Sequence, residues 1–155
     1  VRVEADEVTY NLHIMLRFEM ENDLLEGKLA VKDARDAWND KMRAYLGITP
    51  PNDALGCLQD IHWSHGTIGY FPTYTLGNLM AAQIYHQALQ DLPDLEAAFA
   101  RAEFAPLLSW LRERVHSHGA KFTAPELMSR EFGVEISAQP LLSYLREKYT
   151  ELYEL

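Results

Sequence analysis

Apolar side chains recur every three or four residues through most of the chain, the spacing of one face of an α-helix. Over residues 4–22 these positions are Val8, Leu12, Met15, Leu16 and Phe18. Asp6 and Glu7 fall in the first turn, where acids suit the positive end of the helix dipole. Gly27 breaks the pattern, and a second helix is predicted over 32–46 from Trp38, Met42, Tyr45 and Leu46, followed by Gly47. Its Asp33, Asp36, Asp40 and Arg43 side reads as a solvated face. The longest predicted helix starts at Pro72, a favoured first helical residue, and runs to about residue 91. It carries Tyr74, Leu79, Ile84, Tyr85, Ala88 and Leu89 on more than one side, so it is expected to be the most buried helix. Gly77 within it points to close helix packing.

Pro93 then interrupts the pattern, and helices are predicted over 94–101 and 106–118. Thr123 and Glu126 form a capping-box sequence with Pro125 in the first turn, and Gly133 closes that helix. A last helix, capped by Ser137, runs to about residue 153, after a short extended piece at 134–136. The fold class is therefore all-α, a bundle-like arrangement in a single helical domain over 1–155. A small hairpin is expected only near 63–70.

Residues 56–78 depart from the helical pattern. They combine His62 and His65, the rings of Trp63, Tyr70, Phe71 and Tyr74, three glycines before the helix (Gly56, Gly66, Gly69) and Pro72. Glycine and proline mark irregular backbone, yet the stretch is aromatic where loops are usually polar, so it is expected to be buried or to line a cleft.

Composition narrows the partners. With 23 acidic against 14 basic residues the net charge is −9, which argues against nucleic acid as a partner. The single cysteine, Cys57, excludes an internal disulfide and suits a reducing compartment, so a cytoplasmic location is expected. No run approaches the roughly 20 apolar residues of a membrane span, and no membrane partner is expected. The chain opens without methionine and already in patterned sequence, as a piece of a longer protein would.

Elementary motif chemistry is sparse. His62 and His65 stand three apart and His116 and His118 two apart, but nothing supplies further ligands at a diagnostic metal spacing. His13 reads as a hydrogen-bonded core residue and His86 as structural. No serine sits in a Gly-x-Ser-x-Gly elbow, and Cys57 lacks a local nucleophile signature.

Three ordered motifs add a specific signal: Val-Arg-Val-Glu-Ala-Asp at 1–6, Gly-Cys-Leu-Gln-Asp-Ile-His-Trp at 56–63, and Gly-Tyr-Phe-Pro-Thr-Tyr-Thr-Leu-Gly-Asn at 69–78. Through them the chain resembles the C-terminal portion of the thermostable-carboxypeptidase family of zinc metallocarboxypeptidases. The resemblance implies a helical metallopeptidase that removes C-terminal residues from peptide substrates. It also implies a longer parent, since family members carry their His-Glu-x-x-His zinc helix upstream of the matching region, and no such motif occurs here. Zinc, or another divalent metal, is then expected in the parent and not on this chain, and the chain alone is expected to be inactive.

Within that resemblance His62, Tyr70 and Tyr74 fit the donors that stabilise an oxyanion, lining a half-open groove, with Tyr70 and Tyr74 left undistinguished. Arg2 fits the guanidinium that holds a substrate carboxylate; the competing reading is an Arg2–Asp6 pair bracing the first helix. Asp6, Gln59 and Asp60 are expected behind these groups, orienting them. The expected partners are the peptide, the missing N-terminal portion of the parent, and a second copy forming a homodimer. The alternative of another class is a non-enzymatic helical protein-interaction domain that uses the aromatic loop for docking.

Overall fold

The computed structural model describes residues 2–155, and Val1, the first residue of the Val-Arg-Val-Glu-Ala-Asp motif, lies outside the described residues. Seven α-helices follow in order among them: α1 (Tyr10–Leu25), α2 (Ala34–Leu46), α3 (Pro72–Asp91), α4 (Leu95–Ala100), α5 (Ala105–Arg114), α6 (Ala124–Phe132) and α7 (Gln139–Tyr153). Single 3-10 turns stand at Arg2–Glu4, Val31–Asp33, Trp63–His65 and His116–His118. No strand occurs among the described residues, so the chain is all-α. The hairpin expected near 63–70 is absent. A 3-10 turn takes its place, because Gly66 adopts a left-handed conformation (φ 70°) and returns its N–H to the Trp63 carbonyl at 3.0 Å.

The chain divides into two compact units, one ending at Thr75 and one running from Leu76 to Leu155. In the first, α1 packs on α2 around Leu16, Met20, Trp38 and Met42, each at most 2% exposed. Leu29, Ala37, Leu46 and Trp63 pack against this cluster. The first helix begins later than its apolar pattern predicts, at Tyr10, because Asp6 turns the chain before it: its carboxylate accepts the N–H groups of Val8 and Thr9, each at 2.9 Å.

The second unit is built around Ala88, Leu95 and Trp110, with Ile84, Tyr85, Phe99 and Phe132 against them. The Trp110 indole donates to Asp91 at 2.9 Å. The extended piece at 134–136 has no strand partner. The buried Gln83 side chain serves instead, donating to the Glu135 carbonyl at 2.8 Å and accepting the Ser137 N–H at 3.0 Å. Two expectations for α3 fail. Its only buried residues are Gln83 and Ala88, so its apolar composition is spread around the helix and largely half-covered. Gly77 has open space where a Cβ would stand, so close packing does not explain it.

Candidate active site

Every sequence-predicted site residue lies in the first unit, and α1 holds most of them in place. His13, Arg17 and Glu21 follow one another at four-residue spacing and so share one face of the helix. All three are buried, at 5, 0 and 3% exposure, while Val8, Met15 and Phe18 from the apolar pattern are nearly half exposed. This polar stripe meets the loop that carries the candidate residues Asp60 and His62. Arg17 reaches Asp60 Oδ2 through Nε at 2.6 Å and donates from Nη1 to the His13 carbonyl at 2.6 Å. Glu21 accepts the Trp63 indole N–H at 2.8 Å and the Gly69 backbone N–H at 3.0 Å.

Asp60 is the electrostatic centre. Oδ1 accepts from Arg2 Nε at 3.0 Å and Nη2 at 2.8 Å, and Oδ2 takes Arg17. Burial pushes the Asp60 carboxyl up, but hydrogen bonds and charge from Arg2 and Arg17 outweigh it and hold the group below its ordinary value. Arg17 is less well compensated. It is fully buried and shares one carboxylate with a second guanidinium, and burial lowers its pKa despite Asp60.

Arg2 is nearly buried, at 8% exposure. Its backbone N–H donates to Gln59 Oε1 at 2.8 Å, and Nη1 donates to the Tyr10 hydroxyl at 2.8 Å. Gln59 is itself held by the Leu55 and Gly56 carbonyls, each at 3.1 Å. Asp6 takes no part in this cluster and caps the turn before α1, so the ion pair that Arg2 makes is with Asp60. Of the five guanidinium N–H groups, three are used in these bonds, which leaves one on each of Nη1 and Nη2.

His62 stands at the head of the 3-10 turn, with its ring centroid 4.4 Å from the buried Phe71. Its Nε2 lies 3.1 Å from the Tyr74 hydroxyl. Its Nδ1 is buried, 3.9 Å from Asp60 Oδ1, and has no hydrogen-bond partner among the described residues. Tyr70 precedes α3 and is 47% exposed, with its ring 5.9 Å from His62 and 5.5 Å edge-on to Tyr74. The Arg2 guanidinium carbon sits 4.9 Å from the Tyr74 ring centre. Arg2, Gln59, Asp60, His62, Tyr70 and Tyr74 thus form one cluster, from which Asp6 and the exposed His65 are absent.

A cleft of about 430 Å³ also opens in this unit, but elsewhere: Leu24, Leu25, Val31, Cys57, Leu58 and Ile68 line it, with Glu21 and Trp63 in its wall. His62, Tyr70 and Tyr74 do not line it. Sequence pattern alone misses Arg17, Glu21 and Tyr10. The readable signal is the 13, 17, 21 spacing, a polar stripe on a helix otherwise read for its apolar residues.

The profile of the carboxypeptidase Taq (M32) metallopeptidases matches residues 1–149, and the chain belongs to that family. Thermostable carboxypeptidase 1 of Thermus thermophilus is 50% identical over 153 residues, which is 99% of this chain and 30% of that protein. Carboxypeptidase 1 of Bacillus subtilis is 45% identical over all of this chain and 31% of its own length. The crystal structure of the M32 carboxypeptidase of Deinococcus radiodurans R1 superposes with a TM-score of 0.95 at 49% identity, covering 100% of this chain and 31% of that one. The chain therefore spans about 30% of the relatives it matches.

Proposed function

We propose that this chain is the C-terminal part of the catalytic domain of a zinc-dependent metallocarboxypeptidase that removes C-terminal amino acids from peptides. Its contribution is to hold the substrate carboxylate and to stabilise the oxyanion. The observation that carries this reading is the His62–Tyr74 contact at 3.1 Å beside a guanidinium fixed by Asp60.

Among the described residues no three His, Cys, Asp or Glu gather where they could hold a metal ion, so these residues do not themselves fit a zinc site. Zinc, or another divalent metal, belongs to the N-terminal portion of the parent, and the chain alone is inactive. What these residues do follows from hydrogen-bond inventory. When attack on the scissile carbonyl places negative charge on its oxygen, that oxygen needs donors already in position. In the tautomer where His62 Nε2–H donates to the Tyr74 oxygen, the Tyr74 hydroxyl hydrogen is free to point at the substrate. Tyr74 is then the oxyanion donor and His62 the group that polarises it, with Tyr70 closing the exposed side. The unused N–H groups on Arg2 Nη1 and Nη2 take the substrate's terminal carboxylate, with Asp60 and Gln59 fixing the arginine. The free thiol of Cys57 suits a reducing compartment, and we assign the protein to the cytoplasm. No helix among the described residues is long and apolar enough to cross a membrane.

In the full-length protein, Tyr74→Phe is expected to lower kcat about 100-fold while KM changes little. An unchanged kcat would remove Tyr74 from the chemistry. The 155 residues alone, given zinc, are expected to leave peptide substrates uncut, and chelator-sensitive turnover would overturn the division of labour between the two portions. The apolar cleft supports a second reading, a docking surface for a protein partner such as a second copy.

A further inference from the structure

Glu21 takes no part in the reaction as described, yet it is the one buried acid among the described residues, at 3% exposure. Each of its carboxylate oxygens serves a different end of the same turn: Oε1 the Trp63 indole N–H, Oε2 the Gly69 N–H. Trp63 directly follows His62, and Gly69 directly precedes Tyr70. Between them the chain reverses through two left-handed glycines, Gly66 (φ 70°) and Gly69 (φ 76°). The Trp63 ring is wedged edge-on against Trp38 and Phe71, with centroids 6.0 and 6.2 Å away.

We propose that Glu21 is a positioning residue whose carboxylate pins both ends of this turn, so that His62 stays within reach of Tyr74 and Tyr70 stays against them. The proposal rests on the reading of His62 and Tyr74 as the oxyanion pair. The chemistry requires a carboxylate. Ionised, it is acceptor-only and serves two donors at once, in charge-assisted bonds stronger than neutral ones. An amide at the same place turns its NH2 toward one of the two N–H donors, so one end of the clamp is lost. Aspartate keeps the charge but is a methylene too short to reach both partners.

The test uses Glu21→Gln and Trp63→Phe, read first by NMR on the 155-residue chain. Glu21→Gln is expected to move the Trp63 indole N–H signal while that of Trp110, which is bonded to Asp91, stays put. Exchange of the Gly69 amide should accelerate about tenfold or more. Trp63→Phe, which removes one end of the clamp, should also accelerate Gly69 exchange, and it carries the test if Glu21→Gln does not fold. In the full-length protein either variant should lower kcat about tenfold with KM within about twofold. Unchanged Gly69 exchange in the variants that fold overturns the clamp. A released clamp with unchanged kcat overturns the positioning role. Neither outcome touches the oxyanion reading, which Tyr74→Phe decides separately.

Discussion

His13 shows what one side chain on the α1 stripe does to the pH dependence of the fold. It is buried as its sequence position suggests, but its Nδ1 has no hydrogen-bond partner among the described residues. Burial first, and the neighbouring Arg17 charge second, disfavour the imidazolium and bring its pKa from 6.5 down to about 4. Between those values the unfolded chain binds a proton that the folded chain refuses, so stability rises with pH across that window and is lost as pH falls through it. At about 1.4 kcal/mol per pKa unit the loss is about 3 kcal/mol between pH 6.5 and 4. Denaturant unfolding monitored by Trp38 and Trp63 fluorescence is expected to show this slope, and His13→Gln to flatten it. Identical slopes in the two proteins would assign the acid sensitivity elsewhere. Residue identities were legible here and their pairings were not. Nothing in the local sequence says that Arg2 finds Asp60, 58 residues away, while the nearby Asp6 caps the turn before α1.

At the scale of elements, helix positions were legible and the buried face of α1 was not. Period and caps locate α2, α3, α6 and α7 to within a few residues, because those signals are local. The face that α1 buries is decided by the loop it meets, and that loop presents a carboxylate, an indole N–H and a backbone N–H. A helix that must satisfy such groups buries Arg and Glu and leaves Met15 and Phe18 partly in solvent. Asp60 is the test of this arrangement. Asp60→Asn leaves two nearly buried guanidinium groups sharing a neutral amide, and it is expected to cost about 3–5 kcal/mol of first-unit stability. Because the folded-state pKa of Asp60 is depressed, the wild-type contribution is present above the ordinary carboxyl value near 3.8 and fades only below it. Its loss is thus separable from the His13 window. An Asp60→Asn protein as stable as wild type at pH 7 would show that the network contributes no net stability.

At the scale of the whole molecule, three ordered motifs made the family legible, whereas the division at Thr75 and Leu76 left no mark. It falls inside the continuous helix α3, where the helical pattern predicts no linker, and only tertiary contacts reveal it. The chain spans about 30% of its relatives, and the first unit exposes large apolar side chains along its cleft: Val31 at 82%, Leu58 at 71%, Leu25 at 69% and Ile68 at 49%. A patch of this kind in water favours association, since each large apolar side chain covered contributes about 1.5–3 kcal/mol before the cost of joining two bodies. The net charge of −9 opposes it at low salt, and screening removes that opposition. Sedimentation of the 155-residue chain should therefore show a mass that rises with protein and salt concentration. Val31→Asp with Leu58→Asp should return it to the monomer without changing the helical circular-dichroism signal, because both side chains lie outside the core of the first unit. A wild-type chain that stays monomeric in high salt would mean that the cleft does not drive self-association.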